Sequence, residues 1–336
     1  MPLVSVIIAA RNAEATLATT LGSVLRQTET DLEVLVVDDG STDATAAVAR
    51  GMGDQRISVH SEPGRGASAA RNLGLAVASG RYVSFLDADD LWTDDKLRAQ
   101  REHLVASESA VVAYSWTILI DGDGEYLFAK PPSHYAGNVH RDLLTDLFLA
   151  SGSNIMIDRA RLRSDVRFDE SLGIAEDWEW QLRLARDHEF VPVPAYQILY
   201  RLVPGSRSAR ATELTTIMSA IARQELAFER DADGLQRPVD AMIHEYVALQ
   251  CVLRATDAID LRTALAHWAA TIADRRRLAQ PRTYTTLGLL AALAILPANR
   301  RAPALRRLLR FWGKAFGNTA LIARVRDCQR HVASRP

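Results

Sequence analysis

Two hydrophobic patterns alternate along the first 200 residues of the chain. Short apolar runs rich in β-branched residues, such as 3–9 and 32–38, are typical of parallel strands that are covered on both faces. Between these runs, apolar side chains recur every three or four residues, as at Leu17, Leu21 and Val24, which predicts amphipathic helices. The alternation favours an α/β fold in which helices flank a mostly parallel sheet.

The same patterns give approximate bounds for the elements. Strands are expected at residues 3–9, 32–38, 57–60, 83–86, 111–120, 126–128, 153–157 and 196–200. Helices are expected at about residues 15–27, 44–49, 68–78, 93–107, 142–150 and 175–186. The sequence Asp-Gly-Asp-Gly at 121–124 is typical of a hairpin turn, so we expect the sheet to change from parallel to mixed pairing there.

Beyond Thr212 the chain is rich in Ala, Leu and Arg and has little β-strand signal, so helices are expected. Breaks between them are expected at four prolines, Pro238, Pro281, Pro297 and Pro303. We therefore expect an α/β catalytic domain over residues 1–208 and an α-helical region over 209–336.

Charge and cysteine content limit the kinds of protein that this chain could be. The net charge of -1 is the sum of two regions of opposite charge, since residues 275–336 carry +13 and residues 1–274 carry -14. Two cysteines form neither a disulfide framework nor a zinc-ligand spacing, which fits a reducing, cytosolic setting. No signal peptide is expected, and the longest apolar run, 287–298, is shorter than the roughly 20 residues that cross a bilayer.

Three carboxylates within four residues, Asp87, Asp89 and Asp90, follow the strand expected at 83–86. Such acids repel one another, and a divalent cation carrying a phosphorylated ligand would relieve the repulsion. Asp87 and Asp89 are the candidate metal residues, whereas Asp90 is expected to be structural. The alternative is a polar loop that caps the following helix.

Asp38 and Asp39 end the second strand, where a carboxylate can accept hydrogen bonds from a base N–H or a ribose hydroxyl. The alternative is that Asp38 only shapes the turn together with Ser41. Arg71 lies one turn into an otherwise apolar helix, from which a guanidinium can bind a diphosphate with two hydrogen bonds. The alternative there is an ordinary solvated helix charge.

Glu176 and Asp177 stand at the start of a predicted helix, where acids are favoured by the helix dipole alone. In a partly enclosed cleft, one carboxylate beside another can have a raised pKa and act as a general base. Trp178 could form a stacking wall beside the site or belong to the core. The eight histidines show no metal-ligand clustering, and the sequence lacks the Gly-x-Ser-x-Gly motif of nucleophilic hydrolases.

Five segments over residues 3–205 resemble glycosyltransferase family 2, the inverting nucleotide-sugar transferases with the GT-A fold. They occur in the family's order, at 4–12 (VSVIIAARN), 36–43 (VVDDGSTD), 70–74 (ARNLG), 85–90 (FLDADD) and 176–178 (EDW).

The resemblance implies a nucleoside-diphosphate-sugar donor, with UDP as the favoured nucleotide. It implies that Ala9, Arg11 and Asp39 hold the nucleobase and that Arg71 contacts the diphosphate. Asp38, beside Asp39, is a further donor-binding candidate.

The resemblance also implies that Asp87 lies near the ribose and the metal and that Asp89 ligates Mn²⁺ or Mg²⁺. Asp177, beside Glu176, would remove a proton from the acceptor hydroxyl, and Trp178 would lie on the acceptor side. The implied reaction is a single in-line displacement at the anomeric carbon with inversion.

Two regions leave alternatives open. Many family members carry a histidine after the last sheet strand, but residues 200–208 contain none, so the third protein contact to the metal is open. Arg201 or Arg207 could bind phosphate instead. Residues 300–316 combine basic and large apolar side chains, which suits either a helix on an anionic membrane surface or a helix packed on the catalytic domain.

Together these features predict a metal-dependent inverting glycosyltransferase on the cytoplasmic side of a bacterial membrane, making a surface glycan or glycolipid. The expected partners are a nucleotide-sugar donor and a glycan or lipid-linked acceptor, with no nucleic acid. The alternatives are a non-catalytic nucleotide-sugar binder or scaffold with the same fold and a Rossmann-type oxidoreductase.

Overall fold

The computed structural model divides the chain into two compact units. The first comprises Met1–Val139, Phe148–Arg201 and Gly317–Pro336, and the second comprises His140–Leu147 and Leu202–Phe316. The residues that the structure describes are 2–149, 151–203, 210–253, 261–271, 304–305, 307–309 and 318–333.

A nine-stranded mixed sheet forms the centre of the first unit, in the order β3-β2-β1-β4-β8-β6-β9-β5, with β7 paired to β6. Strands β1 to β4 are parallel, β8 runs antiparallel between β4 and β6, and β6 is parallel to β9. The expected change to mixed pairing is therefore confirmed. The strands are β1 Val4–Ala10, β2 Leu32–Asp39, β3 Ile57–Glu62, β4 Tyr82–Phe85, β5 Leu91–Trp92, β6 Ala110–Ile120, β7 Tyr126–Ala129, β8 Ile155–Asp158 and β9 Glu189–Arg201.

Helices flank this sheet and bury the apolar stripes that the sequence predicts. Leu17 and Leu21 of α1 are fully buried in one core cluster with Val6 and Ile8 of β1. Strand β1 lies between two parallel neighbours and is buried along its length except at Ala9, as its unbroken apolar run requires. The helices of the first unit are α1 Leu17–Leu25, α2 Thr45–Gly51, α3 Ala67–Val77, α4 Lys96–Ala106, α6 Glu176–Asp187 and α10 Thr319–Ala333.

Helix α10 packs on the first unit, although it lies at the far end of the sequence. Val325 and Cys328 are buried against Leu91, Ile118 and Leu199 of the sheet. The division at residue 208 that the sequence suggested therefore differs from the observed one. Residues 317–336 belong to the α/β unit, because α10 buries apolar side chains against the sheet. His140–Leu147 belong to the helical unit.

The described residues of the second unit are helical, as expected, and include α5 His140–Thr145, α7 Ala211–Leu226, α8 Ala232–Leu253 and α9 Leu261–Thr271. Pro238 does not break this unit into separate helices, because it lies inside α8. A proline there forfeits one backbone hydrogen bond. The buried side chains that follow it, including Val239 and Met242, offset that cost.

Candidate functional site

The register of the sheet brings the candidate residues to one edge. Ala10 of β1 pairs with Asp38 of β2, and Ile7 pairs with Phe85 of β4. The carboxyl ends of three parallel strands are therefore neighbours, which is where ligands of such sheets bind. Ala9, near the end of β1, is partly exposed at this edge.

Asp39 joins this edge to the start of helix α3. Both of its carboxylate oxygens accept from the backbone N–H of Gly66, at 3.0 and 3.1 Å. Arg11 lies 3.6 Å from the same carboxylate, and its side chain is 57% exposed while that of Asp39 is buried. Gly40 has φ +67°, and a Cβ there would collide with the backbone of Gly64, so only glycine fits this crossing of loops.

Asp38 has a different environment, since its carboxylate accepts from the backbone N–H of Ser41 at 3.1 Å. The turn is further fixed by Asn12, whose side-chain oxygen accepts from the N–H of Thr42 at 2.9 Å. These bonds give Asp38 a turn-shaping role in the structure. They leave Asp39, rather than Asp38, beside the exposed guanidinium of Arg11.

Arg71 of α3 lies between two acids and is 5% exposed. It donates to Asp87 at 2.8 Å and to Glu176 at 3.1 Å, and its guanidinium lies 5.2 Å from the centre of the Phe168 ring. Burial disfavours the cation, but the charges of Asp87 and Glu176 outweigh it and raise the pKa of Arg71. The structure therefore clamps Arg71 between carboxylates rather than leaving it solvated.

Asp177 follows Glu176 in the first turn of α6 and is partly exposed. Burial of its carboxyl group, followed by the charge of Glu176, raises the pKa of Asp177 to about 6. Ala175, which caps the helix, has φ +59°, an uncommon conformation for a residue with a Cβ. The backbone thus turns sharply just before the acid pair.

Trp178 is buried in the core, which is one of the two alternatives that the sequence left for it. Its side chain is only 3% exposed, so its ring has little surface to offer a ligand. The neighbouring Trp180 is also in the core, where it stacks on Phe168 with ring centres 4.4 Å apart. Residues two apart on a helix lie on nearly opposite faces, so the burial of both Trp178 and Trp180 shows that α6 is covered on two sides.

Three residues, Asp90, Ser153 and Arg201, hold the acid loop in place, and only Ser153 was not considered in the sequence analysis. Asp90 is fully buried and accepts from Ser153 at 2.7 Å and from the backbone N–H of Arg201 at 2.9 Å. The guanidinium of Arg201 donates to the backbone carbonyl of Asp89 at 2.7 Å, which argues against its suggested use as a phosphate ligand. The pairing of β8 with β4 explains why Ser153, just before β8, reaches the acid loop.

The donor set of the acid loop suits a divalent metal. Asp87 and Asp89 are both partly exposed, and carboxylate oxygens are the ligands that Mg²⁺ and Mn²⁺ prefer. Within the described ranges, no group of three or more His, Cys, Asp or Glu side chains could hold a metal ion. Mg²⁺ is commonly held by one or two carboxylates and takes its remaining ligands from water and phosphate oxygens, and Asp87 and Asp89 could supply those carboxylates.

Two earlier expectations lie wholly or largely outside the described residues. Arg207 is one of them, and most of the basic segment 300–316 is the other. In the part of the chain that is described, the helices are too short or too polar to cross a membrane.

The fold is similar to that of solved structures of the GT-A type. It aligns with the structure of S. aureus TarS residues 1–349 in complex with UDP-GlcNAc at a TM-score of 0.57, over 97% of this chain and 90% of that one, with 21% identity. At this identity the likeness shows the fold, which is the expected GT-A fold.

Residues 5–164 match the model of glycosyl transferase family 2. A UDP-Glc:alpha-D-GlcNAc-diphosphoundecaprenol beta-1,3-glucosyltransferase of Escherichia coli, WfaP, is 40% identical over 134 residues, or 39% of this chain and 53% of that protein. The succinoglycan biosynthesis protein ExoO of Rhizobium meliloti is 28% identical over 322 residues, or 90% of this chain and 91% of that protein. The match thus spans about half of the Escherichia coli enzyme.

Proposed function

We propose that this protein is an inverting glycosyltransferase that moves a sugar from a nucleoside-diphosphate sugar to an acceptor hydroxyl. The observation that carries the proposal is the convergence of Arg71, Asp87, Glu176 and Asp177 at the carboxyl edge of the sheet. The match of residues 5–164 to glycosyl transferase family 2 supports the reaction class.

Asp177 is the proposed general base. Its pKa of about 6 leaves it ionised at neutral pH, yet basic enough to accept a proton as the acceptor hydroxyl attacks. The acceptor oxygen forms a bond to the anomeric carbon while the bond from that carbon to the diphosphate oxygen breaks. The proton passes to Asp177, and the nucleoside diphosphate leaves with both bonding electrons.

The donor would lie along the edge from Asp39 to Asp87. Arg11 is exposed beside Asp39, in a position to contact the nucleobase or ribose. Arg71 holds Asp87 and Glu176 together in the structure, and we propose that it contacts the diphosphate when the donor binds. A Mn²⁺ or Mg²⁺ held by Asp89 and Asp87 would supply positive charge to the departing diphosphate.

The acceptor is proposed to be a lipid-linked or growing bacterial glycan, handled at the cytoplasmic face of the membrane. The name of the similar Escherichia coli enzyme includes a diphosphoundecaprenol-linked sugar, and the similar Rhizobium meliloti protein is named for succinoglycan biosynthesis. A UDP-sugar is the favoured donor, since the matched Escherichia coli enzyme is named for UDP-Glc.

A donor screen tests the proposed function. Release of nucleoside diphosphate is measured across a panel of nucleotide sugars, with Mn²⁺ or EDTA and with undecaprenyl-diphosphate-linked sugars as acceptors. We expect turnover with at least one UDP-sugar and its loss in EDTA. Turnover that is insensitive to EDTA would remove the proposed metal role of Asp89, and UDP binding without any turnover would favour a non-catalytic binder.

A further inference from the structure

Asp90 differs from the two acids that precede it, because it is fully buried whereas Asp87 and Asp89 are partly exposed. Its two carboxylate oxygens have separate partners. One accepts from the hydroxyl of Ser153 at 2.7 Å, and the other accepts from the backbone N–H of Arg201 at 2.9 Å. Asp90 thus ties the acid loop to the turn before β8 and to the end of β9.

Ser153 continues this connection to the first acid of the loop. Its hydroxyl oxygen accepts from the backbone N–H of Asp87 at 3.0 Å while it donates to Asp90. Its own carbonyl accepts from the indole N–H of Trp92 at 2.9 Å. Hydrogen bonds therefore hold Ser153 at its hydroxyl and at its carbonyl. The hydroxyl in turn holds the backbone N–H of Asp87.

Arg201 makes the equivalent connection to the second acid. Its Nε donates to the carbonyl oxygen of Asp89 at 2.7 Å, and one of its terminal nitrogens donates to the carbonyl oxygen of Gly122 at 2.9 Å. Both site acids are thus held by their backbones, through partners from separate parts of the sheet. Their carboxylate groups keep the partial exposure that a ligand requires.

We propose that Ser153, Asp90 and Arg201 are positioning residues that hold the carboxylates of Asp87 and Asp89 in the arrangement that binds a metal–diphosphate. The inference rests on the proposed function, because it assumes that these acids bind the metal. Closely spaced carboxylates repel one another, and an unrestrained loop would relax by turning them apart. Residues behind a metal ligand typically change metal affinity by about 10- to 100-fold when they are removed.

Ser5 offers a matched control for a substitution at Ser153. Both side chains are fully buried serines. The hydroxyl of Ser5 donates to the carboxylate of Glu33 at 2.6 Å and accepts from the backbone N–H of Gly80 at 2.8 Å. It therefore makes the same two kinds of hydrogen bond as Ser153, but at the amino end of β1, opposite to the site edge.

The experiment compares Mn²⁺ affinity, measured by titration calorimetry in the presence of UDP, with the melting temperature of each variant. We expect Ser153→Ala and Ser5→Ala to lower the melting temperature to a similar extent. Each variant loses one hydrogen bond to a carboxylate and one from a backbone N–H. Only Ser153→Ala should weaken Mn²⁺ binding, by about 10-fold or more. It should also raise the KM for the donor.

A second variant covers the case in which Ser153→Ala does not fold. Arg201→Met keeps the backbone N–H that Asp90 accepts but removes the donor to Asp89, and it should weaken Mn²⁺ binding in the same direction. Wild-type Mn²⁺ affinity in the folded variants would overturn the inference while leaving the proposed function intact. A wild-type protein that binds no Mn²⁺ in the presence of UDP would overturn the metal role, and the inference with it.

Discussion

At the scale of single residues, the main feature of the candidate site is how the buried guanidinium of Arg71 is paired with the neighbouring carboxylates. Arg71 faces Asp87 and Glu176 directly, whereas Asp177 has no direct bond to this cation among the contacts of the described residues. Arg71 therefore forms ion pairs with Asp87 and Glu176, whereas Asp177 has a raised pKa. This raised pKa is the reason why Asp177 is the proposed general base.

The raised pKa of Asp177 predicts how activity changes with pH. Below about pH 6 the carboxyl group is protonated and cannot accept a proton, so kcat/KM should fall about tenfold for each further pH unit. The measurement is a pH–rate profile under saturating metal, extended above pH 7 to define the plateau. A profile that stays flat down to pH 5 would rule out Asp177 as the base.

The raised pKa of Asp177 also predicts how the stability of the protein changes with pH. Because the pKa of Asp177 in the folded state lies above the usual value for an aspartate, its contribution to stability is present at low pH and is lost as the pH rises through about 6. Asp177→Asn should therefore be at least as stable as the wild type at pH 7.5, as measured by chemical denaturation. A clear loss of stability would show that the ionised carboxylate is favourably bound.

The identity of the site residues followed from sequence patterns, but their environments did not. Placing Asp39 and Asp87 at one edge needed only the strand pattern and the rule for parallel sheets. The burial of Trp178 and the bonds from Ser153 and Arg201 to the acid loop depend on strand pairings between residues far apart in the chain. Sequence periodicity carries no information on such pairings.

At the scale of elements, long periodic segments were predicted and short or irregular ones were not. Strand β5 has two residues, too few for a pattern, and exists because Leu91 pairs with Leu199. Strand β9 begins at Glu189 rather than at 196, and its pairing with β6 contains register shifts, one of which falls between Pro192 and Tyr196. Helix α5 ends at Thr145, short of the expected Ala150.

The contact between α3 and β1 explains a glycine in the middle of a helix. A Cβ on Gly74 would overlap the side chain of Ile7, so α3 can lie close to the sheet only with glycine here. Gly74→Ala should lower the free energy of unfolding by about 1–3 kcal/mol through overpacking, despite a gain in helix propensity.

Gly51, the last residue of α2, is the control for this substitution because nothing lies within 4 Å of the position its Cβ would take. Gly51→Ala should raise stability by up to about 1 kcal/mol. Urea unfolding of both variants checks the prediction. Equal effects of the two substitutions would mean that the contact between Gly74 and Ile7 is not tight.

At the scale of the whole molecule, the α/β unit is completed by a segment far along the chain. Arg324 of α10 is ion-paired with Asp95 at 2.8 Å, and Arg26 of α1 donates to the carbonyl of Cys328 at 2.9 Å. The two alternatives that the sequence left, a membrane surface or a protein core, concern residues 300–316, most of which lie outside the described part of the chain. For residues 319–333 the structure shows packing on the protein.

Helix α10 should therefore contribute to the stability of the α/β unit. Val325→Asp places an unpaired charge among buried apolar residues and should lower the free energy of unfolding by about 3 kcal/mol or more. Arg326→Asp puts the same acid at the next, exposed position and should change it by no more than about 0.5 kcal/mol. Equal stability of the two variants would mean that α10 is not docked in solution.

The central claim is that Asp177 acts in chemistry at a donor site built by other residues. Its most direct test measures UDP binding by calorimetry and sugar transfer with the best donor from the screen, for the wild type and Asp177→Asn at pH 7.5. We predict UDP dissociation constants within about threefold of each other and turnover at least 100-fold lower for Asp177→Asn. Undiminished turnover of Asp177→Asn with intact UDP binding would contradict the account.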